Sequence, residues 1–314
     1  MHFAPRFLVA AGFLAVAPFT LAAKIERLVE KSFTVAPGGK IRLETQGGEI
    51  RVAPGADGVV KITAKEKIRA STEAEADEIV GKLDLSFEQS GDTVSAVSKY
   101  PKPPLGFHFG AWPPVQVDFV VTVPASFAAE LRTSGGIITV GDLDGKIHAR
   151  TSGGDIKLGK LGGDVDAHTS GGHVSLGAAR GTVKLGTSGG NISAGPVAGA
   201  ADLSTSGGHI KIESVTGALR AHTSGGNIRA RLGGPLKEEC SLHTSGGSVR
   251  VDLDRTAAFR LDAATSGGSV DAQGLTITLE KPSRNRTALA GNVNGGGPLL
   301  KLRTSGGDVV VKTL

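Results

Sequence analysis

"TSGGHIKIESVTGALRAHTSGGNI", Thr205 to Ile228, carries the same tetrad, Thr-Ser-Gly-Gly, twice at a distance of 18 residues. The tetrad also begins at Thr133, Thr151, Thr169, Thr187, Thr244, Thr265 and Thr304. Successive copies lie 18 residues apart up to Thr223, then 21 apart up to Thr265, and the last interval is 39, the length of one short and one long step. "VNGGG" (Val293–Gly297) reads as a degenerate copy within that long interval, and "TQGG" at Thr45 as an upstream variant. A fixed period this short is the signature of a stacked repeat architecture.

Five residues after each Thr stands Ile or Val, from Ile138 through Ile156, Val174 and Ile210 to Val309. Seven after it stand Val140, Leu158, Leu176, Ala194, Ile212 and their equivalents, with polar residues such as Lys157, Ser175 and Arg229 between. Apolar–polar–apolar alternation is the period of a strand with one buried face. A second apolar pair precedes each Thr, as in Ile147/Ala149 and Leu219/Ala221, and Leu143, Leu161 or Val215 falls between the two strands. Each repeat therefore reads as one coil of short strands that buries its apolar face only by stacking on its neighbours, about 4.8 Å apart. The fold class expected is all-β: a β-solenoid, or parallel β-helix, of coils 18 to 21 residues long. The hexapeptide rhythm of left-handed solenoids is absent, which favours right-handed winding.

The N-terminal third departs from the pattern. Residues 1–23, with Arg6, an apolar run from Phe7 to Phe19 and then small residues, have the layout of a secretory signal peptide. Residues 24–130 form a β-rich region holding a first coil at 41–52 and an insertion at 53–123. In that insertion "STEAEADEIVGKL" predicts a helix capped by Ser71, and "VVKITA", "LDLSFEQ", "TVSAVSKY" and "VQVDFVVTV" predict strands. A small α+β element that caps or flanks the first coils is the expectation. Residues 131–314 form the repeat array, which ends on "TSGGDVVVKTL" as a coil without a visible cap.

Composition bounds the function. Cys240 is the only cysteine, so no intrachain disulfide forms, and stability must come from packing and backbone pairing. The formal charge of +5 is mild for 314 residues, with Lys and Arg scattered along the chain. That falls short of the footprint of a nucleic-acid binder. No segment after residue 23 has the ~20 apolar residues of a spanning helix.

The repeated Gly-Gly leads into a strand every time, whereas phosphate loops lead into a helix and usually carry a Lys. The pair therefore reads as a corner, needed for positive φ or for close approach between coils. His222 and His243 fall on adjacent coils without a third ligand, so a solvated face is the reading rather than a zinc or copper site. Asp142, Asp144, Asp164 and Asp166 are mixed with Lys and Arg and form no repeated carboxylate pair, as glycan cleavage would need. No catalytic residue, cofactor or metal is expected. The one concentrated non-repeat feature is "YPKPPLGFHFGAWPPVQ", whose Tyr100, Phe107, Phe109 and Trp112 are the candidate partner-binding residues. The plainer role for this loop is to fold over the side or end of the stack and shield its core.

The leading "TQGGEIRV", the segment ending "VTVPASFAAELRTSGGIITV", and the serial tetrads together resemble bacterial adhesin-like proteins built of DUF4097-type β-strand repeats. The resemblance implies a β-solenoid at the cell envelope, with no catalytic residue set to carry over. The expectation is thus an exported scaffold, periplasmic or at the cell surface, that displays polar ladders and the aromatic loop to an envelope glycan or protein. Two alternatives stand beside it: a β-helical polysaccharide lyase or hydrolase, and an assembly component that self-associates through the C-terminal coil by way of Val309 and Val311.

Overall fold

The computed structural model describes residues 24–101, 113–279 and 286–314. The repeats build two long sheets, mostly parallel, of 13 and 14 strands. Strands that run into the Thr-Ser-Gly-Gly corner form the 14-stranded inbound sheet; strands that leave it form the 13-stranded outbound sheet. Between Thr133 and Thr244 each repeat sits in register on the next, as Ile156 opposite Val174 in the outbound sheet and Ala167 opposite Leu185 in the inbound one, with one shift between Ile212 and Val215. A third, narrow side is closed by Leu143, Leu161, Ala179, Val197 and Val215, all buried.

The inward positions read from the sequence are the core. Ile138, Val140, Ile147 and Ala149 are buried, and so are their equivalents through Val309 and Val311. Val270 and Ala272 are the exception, half-buried because they lie on the last strand of the outbound sheet. Burying side chains of this size contributes about 1.5–3 kcal/mol each, so stacking alone can hold the array without a disulfide. The inward residues are small or aliphatic because the two sheets close on a narrow interior; Phe259, the single aromatic after residue 130, is fully buried.

The N-terminal segment extends both sheets. Strand Val115–Val123 lies parallel to Ile50–Pro54, and Val59–Arg69 and then Lys24–Thr34 add antiparallel strands outside it. On the inbound side Thr93–Lys99 lies parallel to Lys40–Thr45, with Asp84–Ser90 antiparallel beyond. Strands Thr93–Lys99 and Val115–Val123 thus add one more layer to the two sheets, Ser98 facing Thr45 and Phe119 facing Ile50. The one helix among the described residues, Glu73–Val80, is capped by Thr72 and not by Ser71: the Thr72 hydroxyl accepts from the Glu75 N–H at 3.2 Å. Ser71 instead donates its backbone N–H to the Glu75 carboxylate at 2.7 Å. Strand Lys24–Thr34 is absent from the sequence reading because Arg27 and Lys31 interrupt its apolar face.

The far end differs most from expectation. The Thr304 repeat does not end the stack; it lies between the Thr244 and Thr265 repeats. Val309 pairs with Val249 on one side and Val270 on the other, and Leu302 lies between Leu242 and Ala263. The Thr265 repeat is outermost, and its inbound strand Phe259–Thr265 is covered by the antiparallel strand Ala288–Val293, itself paired with Ile277–Leu279. "VNGGG" is no degenerate corner: Asn294, Gly295 and Gly296 have φ of 48°, 92° and 86°, a left-handed turn. That turn brings the chain back into the gap. The expected uncapped C-terminal coil is therefore an interior one, and Val309 and Val311 are buried rather than offered to a second copy. Among the described residues no helix is long and apolar enough to cross a membrane.

Candidate functional site

The tetrad corner is built from two hydrogen bonds per repeat. The buried Thr hydroxyl donates to the second-Gly carbonyl of the adjacent repeat, as Thr187 to Gly172 at 2.8 Å and Thr205 to Gly190 at 2.9 Å. The same oxygen accepts the N–H of its own second Gly, as from Gly190 at 3.2 Å. Far-end bonds follow the interleaved order, with Thr304 reaching Gly247 and Thr265 reaching Gly307. No tetrad glycine has positive φ. The second glycine is required for space: a Cβ at Gly154, Gly172, Gly190 or Gly208 would overlap the carbonyl of the repeat beneath. The first glycine is freer, since a Cβ at Gly153 would find its nearest neighbour at 3.8 Å. Gly-Gly is therefore a stacking device and not a ligand cradle.

The residue after Gly-Gly forms a second ladder, unrecognised in the sequence. Each side chain accepts the backbone N–H of the next repeat: Asp155 from His173 at 2.8 Å, His173 Nδ1 from Asn191 at 2.9 Å, and Asn191 from His209 at 2.7 Å. The chain continues with His209 Nδ1 accepting from Asn227, Asn227 from Ser248, Ser248 from Asp308 and Asp308 from Ser269. The signal was present: from Asp155 onward every residue at this position can accept a hydrogen bond.

His222 and His243 meet across neighbouring inbound strands, their rings stacked with centroids 5.2 Å apart and planes 5° from parallel. Burial, then the His222 ring and Arg303, hold the His243 pKa below the ordinary histidine value. The next residue on this ladder is Arg303, where sequence order had suggested Ala264. A guanidinium beside the pair opposes a bound cation. Among the described residues no group of three or more His, Cys, Asp or Glu is placed to hold a metal.

The acidic candidates all bridge repeats. Asp142 accepts from the Lys160 N–H at 2.7 Å, Asp144 pairs with Arg180, and Asp166 lies 3.4 Å from His148 and 3.8 Å from Arg150. Asp164 accepts from both the hydroxyl and the N–H of Thr182, which draws its pKa below the usual carboxylate range.

Of the aromatic candidates, Tyr100 is buried with the core, 8% exposed. Its backbone is held from both sides by Gln46, whose amide accepts at 2.8 Å and donates at 3.2 Å. Gln46 stands where the other tetrads have Ser, and its amide ties the first repeat to the end of strand Thr93–Lys99. Phe107, Phe109 and Trp112 lie outside the described residues, as do residues 1–23.

No curated protein matches the chain. Among solved structures it has a distant likeness to proteins described as adhesion molecules. With a putative adhesin of Bacteroides fragilis it shares 14% identity over 92% of this chain and 97% of the other, at a TM-score of 0.37. A putative adhesin of Parabacteroides distasonis matches at 11% identity over 92% and 97%, TM-score 0.36. A putative cell adhesion protein of Clostridium sporogenes matches at 11% over 92% and 100%, TM-score 0.21. The Toastrack DUF4097 family matches residues 39–312, most of the chain, and the protein belongs to that family.

Proposed function

We propose that the chain is an exported β-solenoid that serves as a non-catalytic binding scaffold at the bacterial envelope, periplasmic or at the cell surface. The observation that carries this reading is the regularity of the polar groups. From Thr151 onward a Thr hydroxyl and one side-chain acceptor, Asp, His, Asn or Ser, recur at each corner and hold one repeat to the next. Such groups are committed to structure and leave the rigid faces for display. Right-handed winding is favoured because crossovers between parallel strands of one sheet are right-handed in nearly all cases. Export rests on the layout of residues 1–23. The loop carrying Phe107, Phe109 and Trp112 is the second display element, for a glycan or protein partner.

The test is a screen of the purified chain against envelope glycans, with analysis of products. Retention of a glycan without new reducing ends or unsaturated sugars is the expected result. Cleavage products would replace the scaffold with a β-helical carbohydrate-active enzyme.

A further inference from the structure

The two flat faces of the stack differ in how far like charges run: on the inbound face Arg132 lies opposite Arg150 as a pair. On the outer face of the inbound sheet one column runs Glu130, His148, Asp166, Lys184, Asp202, Arg220, each directly opposite the next. Signs alternate along it, which is the self-compensated arrangement expected of a solvated sheet face. The outer face of the outbound sheet carries a longer run of like charge, across three adjacent strands. Lys211 lies opposite Arg229, and Arg229 opposite Arg250, so three cations stand in a row across adjacent strands. Arg231 and Lys312 flank them two residues further along their own strands, on the same face. Like charges directly opposite one another destabilise a sheet.

Two carboxylates stand among these five cations, which leaves an excess of three positive charges. Glu213 is 3.9 Å from Lys211 and largely exposed. Asp252 lies opposite Arg231 and Lys312, with the side chains of Arg229 and Arg250 at 3.5 Å and Lys312 at 3.9 Å. Its side chain is only 4% exposed while that of Arg229 is 59% exposed, so the solvent meets the guanidinium and not the acid. Asp252 holds the cations close; the outward N–H donors of each guanidinium stay available. A depression in the sheet face is lined by Lys211, Glu213, Arg229, Arg231 and Asp252.

We infer that this patch binds a linear acidic glycan, its carboxylates or sulfates laid across the Lys211–Arg229–Arg250 row. The inference rests on the scaffold reading and gives that scaffold a face and a ligand chemistry. Cations repeat about every 4.8 Å along the stack axis, a periodic array suited to a polymer whose anions also repeat. A planar guanidinium fork receives a carboxylate or sulfate in two parallel hydrogen bonds. A membrane surface fits less well: the exposed large apolar side chains among the described residues are Leu28, Val120, Leu279 and Leu314, and none lies in the row.

The test titrates oligogalacturonate and a neutral maltodextrin into the full chain by calorimetry, at low and high salt. Binding of oligogalacturonate but not of maltodextrin is expected, weakening as NaCl rises from about 0.05 to 0.5 M. Arg229→Gln with Arg250→Gln should weaken it by about tenfold. Lys184→Gln with Arg220→Gln, which removes the same charge from the inbound face, should leave it within about twofold. Matching thermal melts of the two double variants keep the comparison one of binding. Equal binding by both variants, equal binding of the neutral glycan, or binding to phosphatidylglycerol vesicles in place of oligogalacturonate would each overturn the inference. Sugar cleavage products would instead sink the scaffold reading and leave the patch standing.

Discussion

The two glycines of the tetrad are identical in sequence and unequal in the structure. At the second, the backbone of the repeat beneath occupies the volume a methyl group would take, and a backbone carbonyl held in a ladder cannot step aside. Gly154→Ala is therefore expected to cost about 2–4 kcal/mol, by the overpacking of an interior. Gly153→Ala should be neutral or slightly stabilising, because φ there is not positive and alanine restricts the unfolded chain. Thermal melts of the two variants decide it; equal losses would mean that conformation rather than contact selects the pair. The sequence showed that a corner recurs, since spacing is a property of the string. It left open which glycine is indispensable, because that depends on the distance to residues 18 positions away.

Across neighbouring strands, the stacked His222 and His243 couple a surface ladder to pH. Burial lowers the His243 pKa first, with His222 and Arg303 adding to it. The unfolded chain then binds a proton more readily than the folded one. This contribution to stability is intact above the unfolded histidine value of about 6.5 and is lost as pH falls from there through the lower folded value. Melting temperature should therefore drop between pH 7.5 and 5, and His222→Gln should shrink the drop while raising the His243 pKa in an NMR titration. A His243 pKa unchanged by that substitution would show that the neighbouring ring is inert. Strand positions in the array were legible because alternation at five and seven residues from each Thr marks one buried face. The acceptor ladder was not: Asp, His, Asn and Ser look like variation until register places each beside the next repeat's N–H. The basic row was hidden for the same reason, its members being separated by roughly one repeat in the chain.

At the scale of the molecule, hydrophobic spacing identifies repeats but carries no record of the order in which they stack. Every seam offers the same aliphatic side chains, so the Thr265 and Thr304 repeats could be exchanged without disturbing the pattern. What decides their order is the antiparallel strand Ala288–Val293 and the left-handed turn at Asn294–Gly296, which return the chain beneath the repeat it has just made. Deleting residues from Leu299 onward removes the repeat that fills this gap, leaving Phe259–Thr265 without its parallel partner. Amides of residues 259–273 are expected to lose hydrogen-exchange protection by at least about a hundredfold, while those of 156–215 keep theirs. Unchanged protection in 259–273 would mean that the Thr265 repeat docks directly on the Thr244 repeat. The interleaved order also bears on synthesis. A chain emerging from the ribosome can lay each repeat on its predecessor as far as Thr244, then has to hold a place vacant. Strands Val249–Leu253 and Val270–Gln273 are made first, and Val309–Thr313, which separates them, is made last. The far end is thus a clasp whose tongue is translated after both halves of its buckle, and an unfinished chain advertises itself by the open strand edge it still presents.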